Sequence, residues 1–194
     1  MVKEKNNYSF LKKKYRKKSF LIRKQASTYI YYSSFNASKK IISFLKITPR
    51  DIIGCYWPIK NELDTRPLIS ILSLKNIRIA LPIIVDEKMI FKTWKSNEKL
   101  YFSKYKFYSP HKSATTLTPS IIITPALAVD FNGNRIGYGS GFYDNYYNKN
   151  KSKFYIGYVY SKQIFNTLPF AKHDLKLNAI VTESFVKKIN HINK

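Results

Sequence analysis

The sequence predicts an α/β fold with a mainly parallel sheet flanked by helices, and three observations carry this. Short apolar or β-branched runs alternate with helical stretches through most of the chain, the pattern of strands joined by crossover helices. Some runs are apolar at consecutive positions rather than alternate ones, as in strands covered on both faces. The 194 residues are 44% hydrophobic and 16% aromatic, enough for one compact core and short for two domains. One domain over residues 1–194 is expected.

Residues 5–34 lack Pro and Gly and set Phe10, Tyr15, Phe20, Leu21 and Ile22 among Lys and Arg, which predicts a long N-terminal helix with a strongly basic face. A second helix is expected over residues 36–45. Pro49 breaks the chain before an apolar strand at 51–57, bounded by Pro58. The next helix starts near Asp64 or Thr65, either of which can cap it. Pro67 lies in its first turn, and Leu68, Ile69, Ile71, Leu72 and Leu74 form its apolar side. Strands follow at 77–84 and, as a hairpin, at 88–94. Residues 98–119 read as mostly loop over the sheet. A β-branched run at 120–124 ends at Pro125, a helix covers 142–148, and strands at 154–160 and 179–182 complete the set.

The net charge of +24 invites a polyanion partner, since so basic a surface gathers nucleic acid through counterion release. The excess is almost all Lys, with only six Arg, and it is scattered rather than gathered into a stripe. A general compositional bias towards Lys, Asn, Ile and Tyr accounts for that better than a specific nucleic-acid site. The single cysteine, Cys55, supplies neither a disulfide nor a CxxC metal site and sits in an apolar strand, where packing outweighs nucleophilic chemistry. No apolar run approaches a membrane span of about 20 residues, and the first residues lack a signal-peptide core. A cytoplasmic protein is expected.

The most informative stretch is TPALAVDFNGNRIGYGSGFYDNYY, residues 124–147. A strand leads into a turn and then into Gly137, Gly139 and Gly141 at alternate positions. Glycines there let a ligand approach the main chain, so that successive N–H groups form an anion-binding nest before a helix. Alone, the spacing also suits a tight strand-to-helix turn, and it is neither the dinucleotide fingerprint nor a phosphate-binding loop of the GxxxxGK type. Arg135 before the glycines and Asp144 after them tip the balance, because a carboxylate there can hold magnesium against phosphate oxygens.

NRIGYGSGFYDNYY resembles the (N/Y)RLGxGxGYYDRxL signature of the 5-formyltetrahydrofolate cyclo-ligase family, and PALAVDFNGNR resembles the PGLAFDxxGxR that precedes it. YWPIKNELDTRPLI, IALPII and LPFAKHDLKLNAIVTE resemble further family segments in the same order. The resemblance implies a three-layer, Rossmann-like α/β domain that converts 5-formyltetrahydrofolate to 5,10-methenyltetrahydrofolate with ATP and magnesium, releasing ADP and phosphate. It implies that the formyl oxygen is phosphorylated by ATP and that the neighbouring folate nitrogen closes the ring, with no protein nucleophile. Catalysis then rests on positioning and charge neutralisation.

Residue by residue, the resemblance implies ATP contacts from Arg135, Ile136, Gly137, Tyr138, Gly139, Ser140, Gly141, Phe142 and Tyr143. Of these, Tyr138, Gly139, Ser140, Gly141 and Phe142 also line the folate side, and Arg135, Tyr138, Ser140 and Tyr143 are the catalytic candidates. Asp144 and Asp174 are implied magnesium ligands; a turn cap is the alternative for Asp174. Lys12 and Arg16, four positions apart on one helix face, match a basic pair that contacts ATP, although Lys13, Lys14 and Arg23 offer other registers. Glu62 matches a carboxylate that accepts hydrogen bonds from the pterin, and Trp57 is expected to stack or pack on it. Ser140, Asn145 and Asn178 depart from residues frequent in the family, where Lys, Arg and Asp occur.

A monomer that takes ATP and a folate, without a specific nucleic-acid or membrane partner, is therefore expected. A catalytically weak or inactive relative that binds the same ligands is the nearer rival. A basic nucleic-acid-binding α/β protein is the other, and it leaves the glycines and Asp144 unexplained.

Overall fold

The computed structural model describes residues 2–190, with side chains from residue 8 onward; position 1 and positions 191–194 of the expected domain lie outside them. Among the described residues, thirteen strands and four α-helices follow in chain order. Helix α1 (Val2–Ala26) and α2 (Ile30–Phe44) precede β1 (Ile52–Gly54), α3 (Arg66–Leu74), β2 (Arg78–Val85) and β3 (Lys88–Thr93). The short strands β4 (Tyr101–Phe102), β5 (Tyr108–Ser109) and β6 (Thr116–Leu117) lead to β7 (Ile121–Thr124), β8 (Ala128–Asp130) and β9 (Arg135–Ile136). Helix α4 (Phe142–Lys149) is followed by β10 (Phe154–Tyr158), β11 (Ile164–Phe165), β12 (Ala179–Val181) and β13 (Val186–Lys188).

The main sheet has the order β13-β12-β10-β7-β1-β2-β3-β6. Its centre is parallel, with β12, β10, β7, β1 and β2 running together, while β3, β6 and β13 add antiparallel edges. Alternate residues feed two cores. Ile53, Ile123, Ile156 and Val181 pack towards α2 and α3, and Ile122, Tyr155 and Ile180 pack towards α4. That is the three-layer arrangement, and it explains why these strands are apolar at consecutive positions.

Helix α3 begins as its sequence predicts, with Pro67 in the first turn. Of the two candidates only Asp64 bonds the helix start: the Arg66 amide donates to Asp64 Oδ1 at 2.8 Å, whereas the Thr65 hydroxyl turns away to the carbonyl of Tyr56 at 2.5 Å. Leu74, expected on the apolar side, is 85% exposed at the helix end.

The first helix, expected over 5–34, ends at Ala26, and a 3₁₀ turn at Ser27–Tyr29 separates it from α2, which starts at Ile30 rather than at the expected residue 36. The apolar residues of α1 are not the face that it buries. Phe10 and Leu21 are 69% and 64% exposed, whereas Lys12, Arg16, Ser19 and Arg23 turn inward, with Ser19 and Arg23 fully buried. Their spacing of four, three and four residues makes one stripe. The helix packs on a second, three-stranded sheet of order β11-β8-β9 rather than on the main core; Tyr15 meets Phe165 edge-on there. Lys12 and Arg16 of this stripe line a cavity, while Ser19 and Arg23 are buried behind its wall.

Candidate active site

Strands β1 and β7 are neighbours, yet the chain leaves β1 through α3 towards one sheet edge and leaves β7 through α4 towards the other. This is the topological switch point of an open parallel sheet, where a crevice opens beyond the carboxyl ends of the strands. A cavity of about 590 Å³ lies there. All the residues expected at the site line it: Lys12 and Arg16 from α1, Trp57 and Glu62 from the segment after β1, residues 135–144, and Asp174.

The glycine-rich turn runs from β9 into α4 against the buried stripe of α1. Arg16 Nε donates to the Gly137 carbonyl at 2.9 Å. Gly139 has φ 109°, and a Cβ added to it would stand 3.3 Å from Arg16 Cζ. Both backbone conformation and close approach therefore select glycine. Gly141, at φ 73°, is the N-cap of α4, so the unbonded first-turn amides of that helix begin at the cavity wall and suit an anion.

Two carboxylates flank this turn, each already held by a cation. Asp144 Oδ1 accepts from Arg135 Nη2 at 2.8 Å and from the Leu175 amide at 3.0 Å. Asp174 Oδ2 accepts from Lys12 Nζ at 2.5 Å and from the Ala171 amide at 2.7 Å, so it does cap a turn while facing the cavity. His173, beside it, is largely exposed. Among the described residues no three His, Cys, Asp or Glu side chains form a metal-binding group. Magnesium is commonly held by one or two carboxylates plus phosphate oxygens, and Asp144, with its Oδ2 free of hydrogen bonds among the described residues, suits that mode.

Across the cavity Glu62 is 4% exposed. The turn that delivers it has Lys60 and Asn61 at φ 46° and 60°, and its Oε2 accepts from the Ile59 amide at 2.9 Å. Burial pushes its carboxyl from the ordinary 4.5 up to about 7, opposed chiefly by Arg23. The two partners are 3.7 Å apart, too far for a close hydrogen-bonded pair, so desolvation exceeds the attraction. Burial, reinforced by the Glu62 charge, also raises the Tyr138 and Tyr143 hydroxyls, which stay protonated at neutral pH. Trp57 packs edge-on against Trp94 with ring centres 5.5 Å apart, leaving part of its surface on the cavity.

Sequence reasoning named Arg23 only as an alternative register, and it passed over the apolar wall of Tyr56, Pro82, Ile84, Met89, Tyr105 and Phe107. The available signal for Arg23 was an arginine two helical turns beyond Arg16 in a lysine-dominated chain. Ser140 and Asn145 are exposed at the rim. Asn178 lies elsewhere: its Oδ1 accepts from the Tyr155 amide at 2.7 Å and so ties β10 to the segment before β12.

Comparison with known proteins agrees with this fold. The model of the 5-formyltetrahydrofolate cyclo-ligase family matches residues 10–183. A 5-formyltetrahydrofolate cyclo-ligase of Escherichia coli K12 is 27% identical over 161 residues, covering 77% of this chain and 87% of that protein. The NMR structure of Aquifex aeolicus 5,10-methenyltetrahydrofolate synthetase superposes with a TM-score of 0.73 at 26% identity, over 95% of both chains. A 5,10-methenyltetrahydrofolate synthetase from Mycoplasma pneumoniae, at 21% identity, shares the fold with a TM-score of 0.69 over 89% of this chain and 98% of that one. The match of the family model over most of the chain, on a site assembled at the switch point, makes this chain a member of the 5-formyltetrahydrofolate cyclo-ligase family.

Proposed function

We propose that the cavity binds 5-formyltetrahydrofolate beside ATP and magnesium, and that the chain, as one cytoplasmic monomeric domain, couples ATP cleavage to closure of the methenyl ring. Family membership carries the cyclo-ligase activity; the assignment of its parts is our reading. The observation that carries this reading is the pairing, in one cavity, of a buried carboxylate at Glu62 with a glycine turn edged by Lys12, Arg16 and Arg135. A carboxylate suits the amino and ring N–H groups of a pterin, and the cations with the α4 amides suit phosphates.

A formamide oxygen is a poor leaving group. In the proposed reaction it attacks the γ-phosphorus, the bond to the ADP oxygen breaks, and ADP leaves. The second folate nitrogen then adds to the activated formyl carbon and loses its proton, and the carbon–oxygen bond breaks to release phosphate. Glu62 and Trp57 fix the pterin, while residues 137–142 bring the formyl oxygen to the phosphate. Lys12, Arg16 and Arg135 balance the phosphate charge, and the buried hydroxyl of Tyr143, unpaired among the described residues, is available to donate. Asp144 and Asp174 would hold magnesium, whose contribution when bound is to neutralise phosphate oxygens. Lys12 would then exchange Asp174 for a phosphate.

The test is the near-ultraviolet absorbance of methenyltetrahydrofolate on mixing protein, 5-formyltetrahydrofolate, ATP and magnesium. A rise that needs both ATP and metal is expected. Binding of both ligands with no rise would identify an inactive relative, and binding of neither would overturn the reading.

A further inference from the structure

Arg23 is a fully buried arginine, 1% exposed, on the inward stripe of α1. It stands behind the cavity wall rather than on it, since the wall at this point is formed by Glu62 and Tyr138. Its Nη2 donates to the Tyr138 hydroxyl, and its Nη1 faces Glu62 Oε1 at 3.7 Å. Nη1 has no hydrogen-bond partner among the described residues. A buried guanidinium is costly unless it is paired, so one held with a donor unbonded calls for a role beyond packing.

We propose that Arg23 is a positioning residue, which biases the Glu62 carboxyl towards its anion and holds the Tyr138 ring in place so that both present one fixed surface to the pterin. The proposal rests on the folate reading of the cavity. One cation reaches two lining residues from different segments, Glu62 from the turn after β1 and Tyr138 from the glycine turn. The anionic form matters because a carboxylate offers only acceptor sites, whereas a carboxylic acid presents a proton to the donors of a pterin edge.

The other groups facing Glu62 do not replace Arg23. Lys60, on the same turn, is exposed and the weakest of the groups acting on it. Tyr56, Tyr138, Tyr143 and Tyr160 are held further from ionisation by its charge, and all are neutral at physiological pH. Burial alone drives the carboxyl towards protonation, and the largest opposing influence is the Arg23 charge.

The test uses the full chain with 13C-labelled glutamate carboxyls, followed by NMR against pH without ligand. The chain has only five glutamates, and Glu62→Gln identifies the Glu62 signal by its loss. Arg23→Met is expected to move the Glu62 midpoint upward by about 1–3 pH units, the usual effect of removing a nearby opposite charge. Arg23→Lys should restore most of that shift. In parallel, calorimetric Kd values for 5-formyltetrahydrofolate should weaken by about tenfold in Arg23→Met at neutral pH, one decade per 1.4 kcal/mol, with a smaller effect on the nucleotide Kd. If Arg23→Met does not fold, Arg23→Gln, which keeps a donor but no charge, gives the same comparison. An unmoved Glu62 midpoint in the folded variants would overturn the proposal and leave Arg23 a packing residue. Unchanged folate affinity in Glu62→Gln itself would instead overturn the folate reading, a result that does not involve Arg23.

Discussion

Arg135 Nη2 and Asp144 Oδ1 meet at 2.8 Å across nine positions of sequence, closing the glycine turn into a loop whose two ends are an arginine and a carboxylate. The same Oδ1 accepts the Leu175 amide, so one oxygen does structural work while Oδ2 makes no hydrogen bond among the described residues. Asp144→Asn separates these duties: the amide oxygen can still accept from both donors, but the charge is gone. Turnover is expected to fall by about 10²-fold, as on removal of one preorganised electrostatic group, and more magnesium should be needed for half-maximal rate. The unfolding midpoint should barely move. Normal turnover at ordinary magnesium would remove Asp144 from the site.

Glu62 sets opposite pH trends for binding and for stability. Its carboxyl is raised from 4.5 to about 7, so the folded state holds a proton that the unfolded state releases. This contribution to stability is fully present below pH 4.5 and is lost as pH rises through about 7. Folate binding should strengthen over the same rise, as the anion forms. Glu62→Gln should therefore flatten both profiles, weaken 5-formyltetrahydrofolate by about tenfold at pH 8 and leave ATP binding unchanged. Calorimetric titrations and thermal unfolding from pH 5 to 8 check both trends, and equal weakening of the two ligands would count against the pterin assignment.

Much of this arrangement was legible because its determinants are contiguous. The strand runs at β1, β7 and β10 are short and apolar at successive positions, and Arg135, the three glycines and Asp144 occupy one decapeptide, so neither strand type nor turn chemistry needed tertiary information. The buried face of α1 was different. The family resemblance pointed to Lys12 and Arg16, but the full stripe with Ser19 and Arg23 carries no hydrophobic periodicity, and only tertiary packing selects that face. The 3₁₀ break at Ser27–Tyr29 has neither Pro nor Gly to announce it. The strands β8, β9 and β11, two or three residues each, exist through pairing rather than propensity.

Gly139 links that hidden stripe to the glycine turn. At φ 109° a side chain is strained by about 1–3 kcal/mol, and a Cβ would meet the Arg16 guanidinium at 3.3 Å. Gly139→Ala is therefore expected to displace Arg16 from the Gly137 carbonyl and to weaken ATP binding by about tenfold or more, with a smaller effect on folate. Isothermal titration of each ligand decides this. Unaltered nucleotide affinity would mean that Arg16 does not act on the phosphates from its observed position.

Asn178 tests whether the departures from family residues weaken the enzyme. It lies between strands rather than in the cavity: its Oδ1 accepts the Tyr155 amide at 2.7 Å, while its own amide and carbonyl bond to the Tyr155 carbonyl and the Ile189 amide. An aspartate offers the same acceptor to Tyr155, with a charge that strengthens a hydrogen bond to a backbone amide. Asn178→Asp should thus leave kcat and KM within about twofold, because the substitution reaches no cavity-lining atom, and should change the unfolding midpoint by only a few degrees. A large gain in kcat would show instead that this position communicates with Asp174, four residues earlier, and that asparagine here holds the wild-type rate down.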